Sequence, residues 1–224
     1  MNSVEAKPNV KFKSATILSN PEISHNVFLL SFKRDFAFHA GQVLGIALSP
    51  NDDARLYSIA SGENEENIDI LYNIKPGGKL TPNLAELKQG DTLWITVPFG
   101  TYLGSMEPAY WIGAGTGIAP FISMKQSGMG ENKILIHGAR TPDTFYFKER
   151  LIRDFGSRYV RCCSQHDGEG IYHGRVTKYL EEQNDLPEDQ KYYLCGGSEM
   201  VVECRDILLS KGIPYSNIVA EIYF

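Results

Sequence analysis

No apolar run in this chain approaches the roughly 20 residues that a membrane-crossing helix requires, and the N-terminus lacks a signal-peptide pattern. The expected location is therefore the cytoplasm, with no membrane partner. Cysteine is scarce: Cys162, Cys163, Cys195 and Cys204 are the four present, and none stands at metal-ligand spacing. Adjacent cysteines such as 162 and 163 make poor disulfide partners, so neither a metal site nor a disulfide framework is expected. Positive charge is also in deficit. The 22 Lys and Arg are outnumbered by 27 Asp and Glu, and a net charge of −5 argues against a nucleic-acid partner. Repeats and low-complexity tracts are absent as well. What remains is an ordinary globular composition, 42% hydrophobic over 224 residues, enough for one large domain or two smaller ones.

The first hundred residues read as β-rich. Short apolar runs at 13–18, 26–32, 43–48, 56–60, 68–74 and 92–97 are separated by turn clusters such as Ser19-Asn20-Pro21 and Gly62-Glu63-Asn64. That rhythm predicts a small antiparallel barrel or sandwich. One helix interrupts it near 81–87, with Thr81 as its apparent N-cap and Pro82 in its first turn. After Pro98-Phe99-Gly100 the pattern changes. Apolar strands at 109–112, 133–138, 159–164 and 192–195 alternate with helical segments at 119–126, 144–155, 174–182 and 198–210. Such alternation predicts a parallel sheet with helices on both faces. The polar stretch 103–107 marks the junction, giving an expected division into residues 1–104 and 105–224.

Three segments carry chemistry. Arg55-Leu56-Tyr57-Ser58 lies in an apolar strand. Side chains two apart share a strand face, so Arg55 and Tyr57 point one way and Ser58 the other. An Arg grips a diphosphate bidentately, a Tyr lies flat on an aromatic ring, and a Ser hydroxyl reaches a ring nitrogen. Gly113-Ala114-Gly115-Thr116-Gly117-Ile118-Ala119-Pro120 follows a strand and opens a helix, where free N–H groups and close backbone approach favour a pyrophosphate. Its spacing is not that of the Gly-x-Gly-x-x-Gly fingerprint, and packing alone also explains such turns. Pro76-Gly77-Gly78-Lys79-Leu80-Thr81 is a second candidate anion loop, though a hairpin turn explains the same letters. The chain closes on Glu221-Ile222-Tyr223-Phe224. Frayed termini are rarely so apolar, and a strand returning to the sheet would bury these rings.

In this order, these segments resemble the ferredoxin–NADP reductase family over almost the whole chain, most of all its compact bacterial ferredoxin or flavodoxin reductases. The carriers are Arg-x-Tyr-Ser at 55–58, Gly-Lys-Leu-Thr at 78–81, Gly-Asp at 90–91, Gly-Thr-Gly-Ile-Ala-Pro at 115–120, Cys-Gly-x-x-x-Met at 195–200, and a Glu near an aromatic end. The resemblance implies an antiparallel FAD-binding barrel followed by a doubly wound pyridine-nucleotide domain. It implies an FAD-dependent oxidoreductase that moves electrons between NADP(H) and ferredoxin or flavodoxin by hydride transfer. Arg55 would hold the FAD pyrophosphate, Tyr57 would stack on the flavin, and Ser58 would bond near its N5. Gly78, Lys79, Leu80 and Thr81 would present N–H groups, and Thr81 its hydroxyl, to that pyrophosphate. Gly115, Thr116 and Gly117 would receive the nicotinamide nucleotide. Cys195 would lie at the hydride-transfer site, Glu221 near the flavin as proton relay or orienting carboxylate, and Tyr223 or Phe224 over the flavin face.

Arg140 and Arg175 match arginines that meet the 2′-phosphate of NADP in relatives. Where those relatives carry a further cation, this chain has Ser164-Gln165, so NAD(H) stays open beside NADP(H). No cysteine quartet holds an iron–sulfur cluster, which makes the electron partner a separate molecule. Two other activities fit the same letters: an NAD(P)H:flavin reductase whose flavin leaves, and an electron-transfer subunit of a larger enzyme.

Overall fold

A computed structural model describes residues 11–223. Seven strands make the first half: β1 (Lys13–Ser19), β2 (Glu22–Ser24), β3 (Val27–Lys33), β4 (Val43–Ala47), β5 (Arg55–Ser58), β6 (Asn67–Asn73) and β7 (Thr92–Ile95). They pair antiparallel in the order β2-β3-β1-β7-β4-β5, with β6 on the free side of β3. A bridge between Ile59 and Ile70 joins the β5 end to β6 and closes the barrel. The period-2 alternation explains the closure. Ile68, Ile70 and Tyr72 of β6 enter a core with Leu30, Phe32, Leu44, Ile46, Leu93 and Ile95, while Leu71 points out of it.

Two short elements escaped the sequence reading. The three-residue β2 lies between the turn at 19–21 and the apolar run from 26, in a stretch that the pattern assigns to no strand, and β11 (Tyr172–His173) has two residues. A helix α1 (Thr81–Glu86) follows β6, but Thr81 is its first residue and Leu80 its N-cap. The Thr81 hydroxyl is drawn elsewhere: it accepts the Lys75 N–H at 2.8 Å and ties the glycine loop to the helix.

The second half is a six-stranded, wholly parallel sheet. Its strands β8 (Ala109–Ala114), β9 (Lys133–Ala139), β10 (Tyr159–Cys163), β11, β12 (Lys191–Gly197) and β13 (Ile218–Tyr223) run in the order β11-β10-β9-β8-β12-β13. Alternate residues divide between its faces. Trp111, Leu135, Tyr159 and Tyr193 meet α2 (Ala119–Met124) and α3 (Lys148–Phe155), whereas Ile112, Ile136, Cys162 and Leu194 meet α4 (Val176–Glu182) and α5 (Ser198–Ser210). Helix α3 starts four residues later than the spacing 144–155 predicts. Thr141 and Thr144 close a capping box around a single 3-10 turn there, and Phe147 takes a positive φ of 60° that interrupts the helix. Helix α2 passes at Met124 into a π-type turn that ends where Gly128 adopts φ 87°.

The core on the α2 face is shared. Val27, Ala40, Ala60 and Leu71 from the barrel pack with Ile118, Phe121, Ile122 and Met124, and Tyr102 of the connecting segment lies among them. Ser123 adds a buried hydrogen bond to the Ser61 carbonyl at 2.6 Å. The halves are thus joined through a largely apolar interface, and the cleft beside it lies at the carboxyl ends of the parallel strands, where open α/β sheets bind ligands.

Candidate active site

The register of β12 on β13 sets Cys195 beside Glu221 and Gly197 beside Tyr223. Because side chains alternate, Cys195, Glu221 and Tyr223 emerge on one face, toward the barrel. Ser58 meets them from β5. Its Oγ donates to Glu221 Oε2 at 2.7 Å and accepts the Tyr223 hydroxyl at 2.7 Å. The Cys195 Sγ lies 3.9 Å from the same Glu221 oxygen. Four of the side chains singled out by sequence, far apart along the chain, therefore form one cluster between the halves.

Burial dominates its electrostatics. Desolvation raises the Glu221 carboxyl above its ordinary value, against the opposing hydrogen bonds of Ser58 and Cys195. The Cys195 thiol is pushed well above its usual range, first by burial and then by the Glu221 charge. That side chain is a neutral thiol and not a nucleophilic thiolate. Tyr102 is 5% exposed, and no partner for its hydroxyl lies among the described residues; Cys195, Glu221 and Tyr223 are all close enough to act on it electrostatically.

Along β5, Arg55 is exposed and Tyr57 half-buried. Burial raises the Tyr57 phenol to about 12, with the Arg55 charge lowering it, so the ring is neutral and beside a fixed cation. Tyr57 stands edge-on to Tyr72 at 6.4 Å, and Tyr72 stacks on Phe28 at 5.4 Å. In the 76–81 loop the Gly78 N–H is already taken by the Lys75 carbonyl at 2.9 Å. Gly77 turns at φ 72° with open space where a Cβ would stand; Lys79 is exposed and Leu80 partly so.

Around Tyr223 the cleft widens into a cavity of about 1010 Å³. Gly115, Thr116, Arg140 and Arg175, four residues that the sequence proposes for a nucleotide, line it together. Gly115, at φ 56°, and Gly197 have no atom within 4 Å of where a Cβ would project, so a ligand can approach the backbone there closely. Gly117 differs: it is buried, and a Cβ there would fall 2.3 Å from the Cys195 carbonyl, so it packs the 115–118 turn onto β12. Phe224 lies outside the described residues. Sequence reasoning missed the barrel's share of this cavity, namely His25, Asn26, Asn73 and Ile74. The available signal was Asn26, an Asn at a sharp reversal, which takes φ 59° here. It also missed Glu199 and Glu203 of α5, whose letters read as ordinary charge on the first turns of a helix.

Comparisons with known proteins agree with this architecture. Residues 14–103 match the family model of the oxidoreductase FAD-binding domain and 111–206 that of the oxidoreductase NAD-binding domain. The reductase component of propane 2-monooxygenase from Mycolicibacterium smegmatis is 30% identical over 82% of this chain and 58% of its own length. The toluate 1,2-dioxygenase electron transfer component from Pseudomonas putida is 28% identical over 92% of this chain and 66% of its own. The chain thus spans about three-fifths of these relatives. It spans 89% of the ferredoxin–NADP reductase from Pseudomonas aeruginosa, at 29% identity over 88% of this chain. A ferredoxin NADP+ reductase from Neisseria gonorrhoeae, solved with FAD and NADP, shares the fold with a TM-score of 0.85 and 23% identity, over 96% of this chain and 99% of that one.

Proposed function

We propose, from the premise that this chain belongs to the ferredoxin–NADP reductase family, that it is an FAD-dependent oxidoreductase passing electrons between NADP(H) and a one-electron carrier such as ferredoxin or flavodoxin. The observation that carries this reading is the Ser58–Glu221–Cys195–Tyr223 cluster, which ties the barrel strand that also bears Arg55 and Tyr57 to the sheet strand whose Tyr223 lines the cavity with Gly115 and Gly197.

The residues present fit both groups. Gly115 and Gly197 leave a cradle that a Cβ would fill, and Gly77 leaves another in the barrel loop. Bound FAD supplies the ability to take two electrons as a hydride and release them singly. The chain's own residues do the rest. Arg55 offers a permanent cation for a diphosphate, and Tyr57 a neutral ring face on the same side of β5. Thr81 keeps its hydroxyl proton available, since its oxygen only accepts from Lys75. Ser58 presents one hydroxyl held between a donor, Tyr223, and an acceptor, Glu221, so its orientation is fixed before any ligand arrives. Glu221, with its raised affinity for a proton, is placed to hold one at the junction. Tyr223 lines the cavity and would cover the flavin face that a nicotinamide ring needs.

The division at 104/105 is part of this reading, supported by the barrel strands ending at Ile95 and the parallel sheet starting at Ala109. So is a cytoplasmic location, supported by four free, buried cysteines. Among the described residues no helix is long and apolar enough to cross a membrane. Relatives named as reductase components of oxygenases make a ferredoxin-like carrier the natural partner class.

The test is anaerobic titration of the purified yellow protein with NADPH and NADH, followed by bleaching of flavin absorbance and then by reduction of added ferredoxin or flavodoxin. Bleaching with carrier reduction supports the assignment. Flavin lost on gel filtration, with turnover restored by free flavin, would instead establish a flavin reductase.

A further inference from the structure

The polar end of the cavity does not have the charge of a dedicated phosphate pocket. Arg140 and Arg175 line it, and so do the carboxylates of Glu199 and Glu203; Ser164 and Gln165 between them are uncharged. Arg175 is committed to one of those carboxylates, its Nη1 lying 3.7 Å from Glu199 Oε1. Both side chains are largely exposed, at 67% and 86%. Solvated pairs of this kind are weak and open readily when a better partner arrives. Glu199 also sits in the first turn of α5, where the positive end of the helix dipole stabilises an anion. The site therefore already holds an anion of its own where a ligand's anion would be received.

We infer that Glu199 is a specificity-determining residue for the nicotinamide nucleotide, paired with Arg175 as a selector between a ribose 2′-phosphate and a free 2′-hydroxyl. This deepens the proposed function and rests on its reading of the cavity as a dinucleotide site. A 2′-phosphate draws Arg175 away and must tolerate the Glu199 charge close by. A ribose with a free 2′-hydroxyl donates a hydrogen bond to Glu199 while the ion pair stays formed; an acidic residue serves this purpose in many dinucleotide folds. Arg175 and Glu199 pull the choice in opposite directions, so the chain accepts both nucleotides with a tempered preference for NADPH.

Calorimetric titration of the full chain with adenosine 2′,5′-bisphosphate and with 5′-AMP tests this without any turnover. Glu199→Gln keeps the shape and removes the charge. It is expected to tighten the bisphosphate by roughly fivefold or more, the size of one like-charge contact in a solvated site, while 5′-AMP, whose 2′-hydroxyl loses a charged acceptor, binds no tighter. Glu203→Gln, whose carboxylate pairs with no arginine among the described residues, is expected to change the ratio less. Three results overturn the inference: an unchanged ratio in Glu199→Gln, equal tightening of both probes, or equal effects of the two variants. Failure of the wild-type chain to bind either probe overturns the cavity reading itself, and this inference with it.

Discussion

Tyr223 gives its hydroxyl proton to Ser58 Oγ at 2.7 Å, linking the last described strand of the sheet domain to the edge strand of the barrel. The bond fixes a ring that lines the cavity. A nicotinamide approaching the flavin would have to displace it, using part of its own binding energy.

Replacing Tyr223 by Ser should therefore tighten nicotinamide-nucleotide binding and strengthen any charge-transfer absorbance on titration with NADP+. Tyr223→Phe, which loses only the hydroxyl bond, should lie between. Unaltered affinity and spectrum in both variants would mean that the strand merely completes the core.

Arg140 and Arg175 are exposed and line the cavity together. Their double replacement by Ala should lower NADPH efficiency by about tenfold or more, as expected for loss of a charge-assisted bond of about 1.5–3 kcal/mol, while NADH changes little. The wild-type preference should also shrink as salt rises, because exposed charges are screened. Steady-state kinetics with both nucleotides at low and high ionic strength decide this, and parallel losses would assign the arginines a structural task.

Glu221 should leave a mark on stability. Burial raises its folded-state pKa above the ordinary carboxylate value of 4.5, so between the two values the folded chain holds a proton that the unfolded chain has released. Stability from this group is then complete below the unfolded pKa and declines as pH rises through the folded one. Urea midpoints measured from pH 4 to 8 should show the decline, and Glu221→Gln should flatten it.

His137 has the opposite sign. Its ring is fully buried on β9, with Nδ1 2.9 Å from the Tyr159 hydroxyl, and burial depresses it from 6.5 to about 3. The unfolded chain takes up a proton first as pH falls, so stability should drop between pH 6.5 and 3 at up to about 1.4 kcal/mol per pH unit. A His137→Leu variant should lack this part of the acid slope in the same unfolding measurements, whatever its stability at neutral pH.

Much of this site was legible in the sequence because the key letters sit on strands, where alternation alone fixes direction. Arg55, Tyr57 and Ser58 follow from the period of two, and Glu221 with Tyr223 from the return of the tail to the sheet. What was not legible depends on partners remote in the chain. Thr81 reads as an N-cap until the Lys75 N–H claims its hydroxyl. Gly117 reads as a phosphate glycine, and only the fold shows its second reason for lacking a side chain, the Cys195 carbonyl above it. The barrel's contribution was hidden because His25 and Asn26 lie in the turn before β3, and Asn73 and Ile74 at the end of β6, where no periodicity marks them. Glu199 carried no mark of its own, since only the fold brings it to Arg175.

The hairpin joining β2 to β3 reaches across the cleft. Ser24 donates to the Asp143 carbonyl at 3.4 Å, and His25 and Asn26 form part of the cavity wall opposite Arg140. Since the wall is assembled from both halves, a molecule seated there holds them together, and its affinity is a measure of how firmly they are docked. By mass action, a nucleotide at 100 times its dissociation constant would add about 2.7 kcal/mol to the docked, folded form. The barrel would share in that gain although the expected phosphate contacts lie on the other domain, so heat unfolding of the two halves should become more nearly concerted as nucleotide is added.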